Sequence, residues 1–150
     1  MRKIDIKSMT IKELSELLDN FNQPRFRAEQ IFKWLHSGAL SFDEMTNIPN
    51  SLREILKENC YIADVQIVKK LVSKIDSTVK YLYKLYDGEY IESVLMKYEH
   101  GYTVCISTQV GCRMGCSFCA SGINGLTRNL TASEMLAQLM AAERDNGIRV

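Results

Sequence analysis

Apolar positions along the chain change their period twice. Up to about residue 60 they fall at helical spacing. Leu14, Leu17, Leu18 and Phe21 recur at i, i+3, i+4 and i+7, behind a Thr10–Glu13 pair with the spacing of a capping box. After a turn at Asn22-Gln23-Pro24, Ala28, Ile31, Phe32 and Leu35 make a second stripe, with Gly38 placed to end it. Ser41 with Glu44 predicts a short turn, and Ser51 with Glu54 predicts the cap of a third helix carrying Leu52, Ile55 and Leu56. A helical bundle of this size is marginal alone, because a short chain buries too little of its surface.

From about Asp64 the pattern becomes that of strands. Val65–Ser73 and Val79–Tyr86 are rich in Val, Ile and Tyr, Asp87-Gly88 is a hairpin turn signal, and a strand returns from Tyr90 to about Lys97. Glu99-His100-Gly101 turns the chain into a further strand, Tyr102–Ser107. A Gly-, Cys- and Asn-rich loop then spans residues 109–130. Thr131 with Glu134 opens a helix whose apolar stripe is Met135, Leu136, Leu139 and Met140, ended by Asn146-Gly147. Ile148-Arg149-Val150 reads as the start of another strand. Strand, long loop, helix and strand is the opening of a parallel α/β unit, which needs cover on both faces, so the chain is expected to be the front portion of a longer protein. The fold class is thus mixed, α+β passing into α/β. It comprises a helical domain over 1–62, a β-hairpin segment over 63–100, and an incomplete core starting at 101–150.

Composition narrows the possible functions. The 150 residues are 46% hydrophobic and 25% charged with 8 Gly and 2 Pro, which excludes collagen-like, mucin-like and wholly disordered chains. Net charge is +1, and residues 1–60, 61–99 and 100–150 are each close to balanced, so bulk charge gives no polybasic nucleic-acid binder. No apolar run approaches the roughly 18–20 residues of a membrane span, and Met1-Arg2-Lys3-Ile4-Asp5 has no signal core behind it. A cytoplasmic protein with no membrane partner is expected.

Three of the five cysteines lie within eight residues, as Cys112-Arg113-Met114-Gly115-Cys116-Ser117-Phe118-Cys119. In a reducing compartment such clustering indicates a metal or an inorganic cluster rather than disulfides. Spacings of four and three residues let one loop wrap three thiolates round a compact core, with Gly111, Gly115 and Gly122 permitting close turns. Three thiolates are one short of a closed zinc site, whereas a four-iron cluster so held has one iron free for a substrate or cofactor. A non-enzymatic zinc module, with His100 or a residue beyond Val150 as fourth ligand, is the alternative.

Cys112, Cys116 and Cys119, with Phe118 before the last, resemble the signature of the radical S-adenosylmethionine (radical SAM) superfamily. The order of Pro24–His36, Tyr90–Met96, Cys105–Cys112 and Gly125–Leu130 further resembles the RlmN family of dual-specificity 23S ribosomal RNA and transfer RNA adenine-C2 methyltransferases. The resemblance implies a helical accessory domain followed by the first βα unit of a truncated partial (β/α) barrel. It implies a 4Fe-4S cluster on Cys112, Cys116 and Cys119 with one open iron binding S-adenosylmethionine, Phe118 near the adenine of that cofactor, a methyl-cysteine intermediate, and a flavodoxin-type reductant. It also makes Glu92 the proton acceptor, and Cys105 the thiol that resolves an RNA–protein adduct through a transient disulfide with a cysteine beyond Val150. A monomer is expected, and these 150 residues are not expected to methylate RNA alone. The sister enzyme that methylates adenine C8 and confers antibiotic resistance, or another radical enzyme class, are the remaining alternatives.

The residues themselves leave these roles open. Alternation puts Glu92 with Val94 and Met96 on one face, and Ile91, Ser93 and Leu95 on the other. Both faces look apolar, so Glu92 is either a buried acid–base group or a solvated edge-strand glutamate. Cys105 alternates with Thr103 and Ser107, as a small buried side chain would. Cys60 is filler, His36 a helix-end residue and His100 a turn residue. Trp34, Phe32 and Phe26 read as core. Arg25, Arg27, Lys33, Lys69 and Lys70 are candidates for phosphate contact or for a solvated surface.

Overall fold

A computed structural model describes residues 3–150. Met1 and Arg2, the first residues of the opening segment, lie outside them. The chain divides into two compact units, one ending at Ala63 and the other beginning at Asp64.

The first unit contains β1 (Ile4–Asp5), α1 (Ile11–Asn20), α2 (Phe26–His36), α3 (Asn50–Asn59) and β2 (Cys60–Tyr61), with β1 and β2 paired in parallel. α1 starts as its sequence dictates. Thr10 Oγ1 accepts the Glu13 N–H at 3.3 Å while Glu13 Oε2 accepts the Thr10 N–H at 2.7 Å. Leu14, Leu18, Ile31, Leu35, Leu52 and Leu56 are fully buried together, so the three predicted stripes make one core. Cys60 is part of it, and burial pushes its thiol up to about 11.

Two expectations are corrected here. α3 begins at Asn50, with Pro49 before it and no side-chain cap, so Ser51 lies inside the first turn. The fixed φ of proline and its missing N–H suit a helix start without a hydroxyl. Phe26 is 54% exposed, because the first residue of α2 falls off the Ala28–Ile31–Leu35 stripe. The Arg27 guanidinium lies 4.7 Å from its ring centre. Phe32 and Trp34 do pack on the core.

The second unit is a four-stranded antiparallel sheet in the order β3 (Gln66–Val72), β4 (Val79–Lys84), β5 (Tyr90–Tyr98) and β6 (Gly101–Cys105). It continues into a two-stranded pair, β7 (Gln109–Gly111) with β8 (Leu126–Asn129), and a long helix, α4 (Ala132–Asn146). The hairpin segment and the segment after residue 101 share one core. One face of the sheet buries Tyr81, Tyr83, Ile91 and Leu95, against Ala137, Ala141 and Ala142 of α4.

That packing changes which face of α4 is inside. The expected stripe of Met135, Leu136, Leu139 and Met140 yields to Ser133, Ala137, Gln138, Met140 and Ala141, with Leu136 and Leu139 half-buried. Two stacked tyrosines on the sheet, ring centres 5.4 Å apart, occupy the space that leucines would need, and small residues bring helix and sheet together. The tyrosine hydroxyls are partnered. Tyr81 donates to Asp145 Oδ2 at 2.6 Å, and Tyr83 to the Gln138 carbonyl at 3.3 Å.

The loop over 109–130 is tied at its base, β7 and β8 pairing antiparallel from Gln109–Asn129 to Gly111–Leu126. Gly147, at φ 62°, ends α4. Ile148–Val150 forms no strand. The Ile148 and Val150 N–H groups turn back to the Glu143 backbone and side chain, and none of the paired strands among the described residues includes them. No helix among the described residues is long and apolar enough to cross a membrane.

Candidate functional site

Because β5 is a central strand flanked by β4 and β6, its alternation sorts side chains between two unlike faces. Ile91, Ser93 and Leu95 go to the α4 side and are buried. Glu92 goes to the open side, where its side chain is 52% exposed and its Oε1 lies 2.9 Å from Lys80 Nζ. The carboxylate is therefore neither buried nor on an edge strand. The apolar residues beside it in the sequence did not reveal which face the helix covers. Register then does what sequence spacing could not. Val94 lies opposite Cys105 across β5 and β6, and Leu82 opposite Glu92 across β4 and β5. Glu92 and Cys105 thus line the same cavity, of about 850 Å3, with Lys80, Tyr90, Ser107 and Thr127. Cys105 is exposed rather than buried, and forms no disulfide.

The exit from β6 is fixed by a side chain that sequence reading did not single out. Fully buried Gln138 accepts the Ser107 N–H at 2.9 Å and donates to the Ser107 carbonyl at 2.9 Å. It acts as a one-residue stand-in for a neighbouring strand. Ser107 Oγ in turn donates to the Glu92 carbonyl at 2.6 Å, tying the backbone of Glu92 to the segment leaving Cys105.

The cysteine loop closes at a backbone contact. Gly111 has φ +73°, and a Cβ there would lie 2.0 Å from the Gly125 carbonyl oxygen. Only a residue without that carbon allows this approach. The same oxygen accepts the Cys112 N–H at 3.0 Å. Ala120, Ser121, Asn124 and Gly125 on the return side of this loop border the cavity that holds Glu92 and Cys105.

Arg128 secures the base from the other side. Its guanidinium donates to both Glu134 oxygens at 2.8 Å and to Asp87 Oδ2 at 2.8 Å. It thus joins the β4–β5 turn, β8 and the first turn of α4. Burial works to raise the pKa of Asp87 and Glu134. Hydrogen bonds from Arg128, aided by backbone N–H groups and the guanidinium charge, outweigh it and hold both below the ordinary carboxylate range.

Within the loop, Cys112 and Cys119 are half-buried and Cys116 is exposed, all three as free thiols. The Met114 N–H points to Cys112 Sγ at 3.5 Å, and the Cys119 N–H donates to the Cys116 carbonyl at 3.1 Å. Among the described residues no three His, Cys, Asp or Glu side chains converge to hold a metal ion. In kind and number the donors suit an iron–sulfur group, being three unpaired thiols on one short loop. Phe118, at 91% exposure, projects from it. His100 is not brought to the cysteines. It stacks on Tyr98 at the β5–β6 turn, with ring centres 5.3 Å apart.

Comparison with known proteins shows what this chain is similar to. Residues 4–62 match the family profile described as "Ribosomal RNA large subunit methyltransferase N-terminal domain". Over its full length the chain is 53% identical to the "Probable dual-specificity RNA methyltransferase RlmN" of Alkaliphilus oremlandii (strain OhILAs), of which it covers 44%. Residues 4–62 are an RlmN N-terminal domain, and the whole chain aligns with part of an RlmN methyltransferase. Over 99% of its length it is also 49% identical to the RlmN of the same description from Clostridioides difficile (strain 630), covering 43% of that protein. The chain therefore spans less than half the length of these RlmN relatives. Among solved structures, a radical SAM methyltransferase from Sphaerobacter thermophilus superposes with a TM-score of 0.85 at 43% identity. That match takes in 96% of this chain and 42% of the other, so the mixed fold expected from the sequence is the fold of part of a radical SAM methyltransferase.

Proposed function

We propose that this chain supplies the helical domain, the cysteine loop and the acid–base floor of a radical SAM methyltransferase acting on C2 of adenine in 23S ribosomal RNA and transfer RNA. The observation that carries the reading is the cavity shared by Glu92 and Cys105 beside the loop of Cys112, Cys116 and Cys119. The names of the RlmN relatives support the RNA substrates.

In this reading Cys112, Cys116 and Cys119 would hold a 4Fe-4S cluster that works with S-adenosylmethionine, and Phe118 would lie near the adenine of that cofactor. When bound, that pair supplies radical chemistry at an aromatic carbon too poor in electrons for polar methyl transfer. The protein's own residues do the rest. Glu92, positioned by the ion pair with Lys80 and open to the cavity, accepts the proton leaving the adenine carbon. The Cys105 thiolate attacks the sulfur that links RNA to protein, forming a disulfide as the carbon–sulfur bond breaks, while the released methylene carbon keeps that bond's electron pair and takes a proton to become the methyl group. The methyl-carrying cysteine, whose sulfur becomes the disulfide partner of Cys105, is assigned outside these 150 residues. A flavodoxin-type protein serves as reductant, and the enzyme acts as a monomer in the cytoplasm.

The test is mass spectrometry of adenosines from RNA treated anaerobically with the full-length protein. 2-Methyladenosine is expected. Methylation at C8 instead would place the chain with the sister enzyme. Stoichiometric zinc without iron or sulfide after anaerobic reconstitution would overturn the radical reading. Cys105→Ala should accumulate covalent RNA–protein product, visible as a retarded band, whereas Glu92→Gln should lower turnover.

A further inference from the structure

The open face of the sheet extends well beyond the cavity, and its side chains follow from register. Lys84 stands opposite Tyr90 across β4 and β5 and opposite Gln66 across β3 and β4. Leu82 stands between Lys69 on β3 and Glu92 on β5. Lys80 stands between Leu71 and Val94, and Val94 leads on to Cys105. The strands therefore put Lys69, Lys80, Lys84, Tyr90, Glu92 and Cys105 on one surface.

The charge on this face is one-sided. Three lysines face one strand-borne carboxylate, and Glu92 is already paired with Lys80. Glu89, at the cavity rim, is the other acid nearby. Lys69 and Lys84 are exposed and form no ion pair among the described residues. By contrast Lys70, one residue along β3, points to the helix side and is tied to Asp145, and Arg25 pairs with Asp19 at 3.4 Å. Tyr90 is 50% exposed, lines the cavity, and stands in the row next to Glu92.

We infer that this face binds the RNA strand flanking the target adenine. Lys69 and Lys84 contact its phosphates, and Tyr90 stacks a neighbouring base at the mouth of the cavity. The inference rests on the proposed RNA reading and deepens it by locating the substrate track. The physics favours an unpaired strand over a duplex. An open antiparallel sheet with an exposed aromatic presents a flat platform for splayed bases, while point charges at its margin track the backbone. A flat face with unpaired lysines on the neighbouring strands β3 and β4 also matches a polyanion better than a neutral protein surface.

The test uses the full-length protein and a labelled adenine-containing RNA stem-loop, with dissociation constants measured across a salt series. The Lys69→Glu, Lys84→Glu double variant is expected to weaken binding by tenfold or more (about 10-fold as an order of magnitude) and to reduce the slope of log K against log salt by about 1–2. The Lys69→Gln, Lys84→Gln pair should show a smaller loss of the same kind. Tyr90→Ala should weaken binding by roughly 5-fold or more, and Tyr90→Phe, which keeps the ring, should restore it. Unaltered circular dichroism and thermal unfolding of the variants accompany these results. If wild-type protein binds and methylates RNA while the lysine variants keep wild-type affinity and salt slope, the track is overturned and the proposed function stands. If wild-type protein neither binds nor methylates RNA, the proposed function fails and the track with it.

Discussion

A methyl group on Gly111 would collide with the Gly125 carbonyl in a backbone region that other residues rarely adopt. Gly111→Ala is therefore expected to destabilise the second unit by about 1–3 kcal/mol, read as a lowered urea midpoint. Arg128 sets a second residue-scale expectation, in pH. Asp87 and Glu134 hold their protons less tightly folded than unfolded, so the unfolded chain binds more protons in mild acid. The stability they contribute is full near neutrality and is lost as pH falls from about 5 through the lowered folded-state values. Arg128→Met should flatten the acid limb of a stability–pH curve, and Arg128→Lys should not restore it, because a single ammonium cannot span both Glu134 oxygens. An acid limb identical to wild type would remove the network from the account. At this scale the sequence was a partial guide. The Thr10, Ser41 and Thr131 caps were legible because each depends on residues three apart. The partnership of Arg128 with Asp87 joins positions 41 apart, which no local pattern encodes.

Among elements, strands β3 to β6 were legible from alternation and turn residues. β7 and β8 were not, since Gln-Val-Gly and Leu-Thr-Arg-Asn carry no apolar rhythm and are paired by the closure of the loop between them. The buried side of α4 was misread for a related reason. Hydrophobicity ranks leucine above alanine, but two tyrosines on the facing sheet decide what fits. Gln138 is the element-scale test. Gln138→Leu keeps the volume but leaves the Ser107 N–H and carbonyl without partners, so a loss of about 2–4 kcal/mol is expected in chemical denaturation. Amide exchange at Ser107 should rise with it, and a variant as stable as wild type would contradict the stand-in-strand role. The site follows the same logic. Alternation assigned Glu92 a face, but only the pairing of β5 with β6 and the position of α4 put that face in the open beside Cys105.

At the scale of the whole molecule, the chain holds two separate cores and less than half the length of its RlmN relatives. The residues proposed for proton transfer and thiol attack are here, but the methyl-carrying cysteine is assigned elsewhere. The 150 residues alone are therefore expected to yield no methylated adenosine in an anaerobic assay with reductant, where the full-length protein does. Replacing Cys112, Cys116 and Cys119 together with alanine should abolish the brown chromophore of the reconstituted full-length protein. Persistence of that colour would place the cluster on other ligands. The resemblance to RlmN methyltransferases was legible because short motifs and their order are local and need no knowledge of the fold. The assembly of Glu92, Cys105 and the loop round one cavity was not, because it is made by pairings between distant segments.

The latch between Gly111 and Gly125 also has a consequence for biosynthesis. The strands bearing Glu92 and Cys105 precede both feet of the latch in the chain, so they leave the ribosome first. The three thiols emerge from the ribosome ahead of the Gly125 carbonyl, and ahead of Arg128 and Glu134, which brace the stem. During translation they thus pass through a short interval in which the nascent arc is tethered at one foot only, and its thiols are free before the stem that holds them has closed.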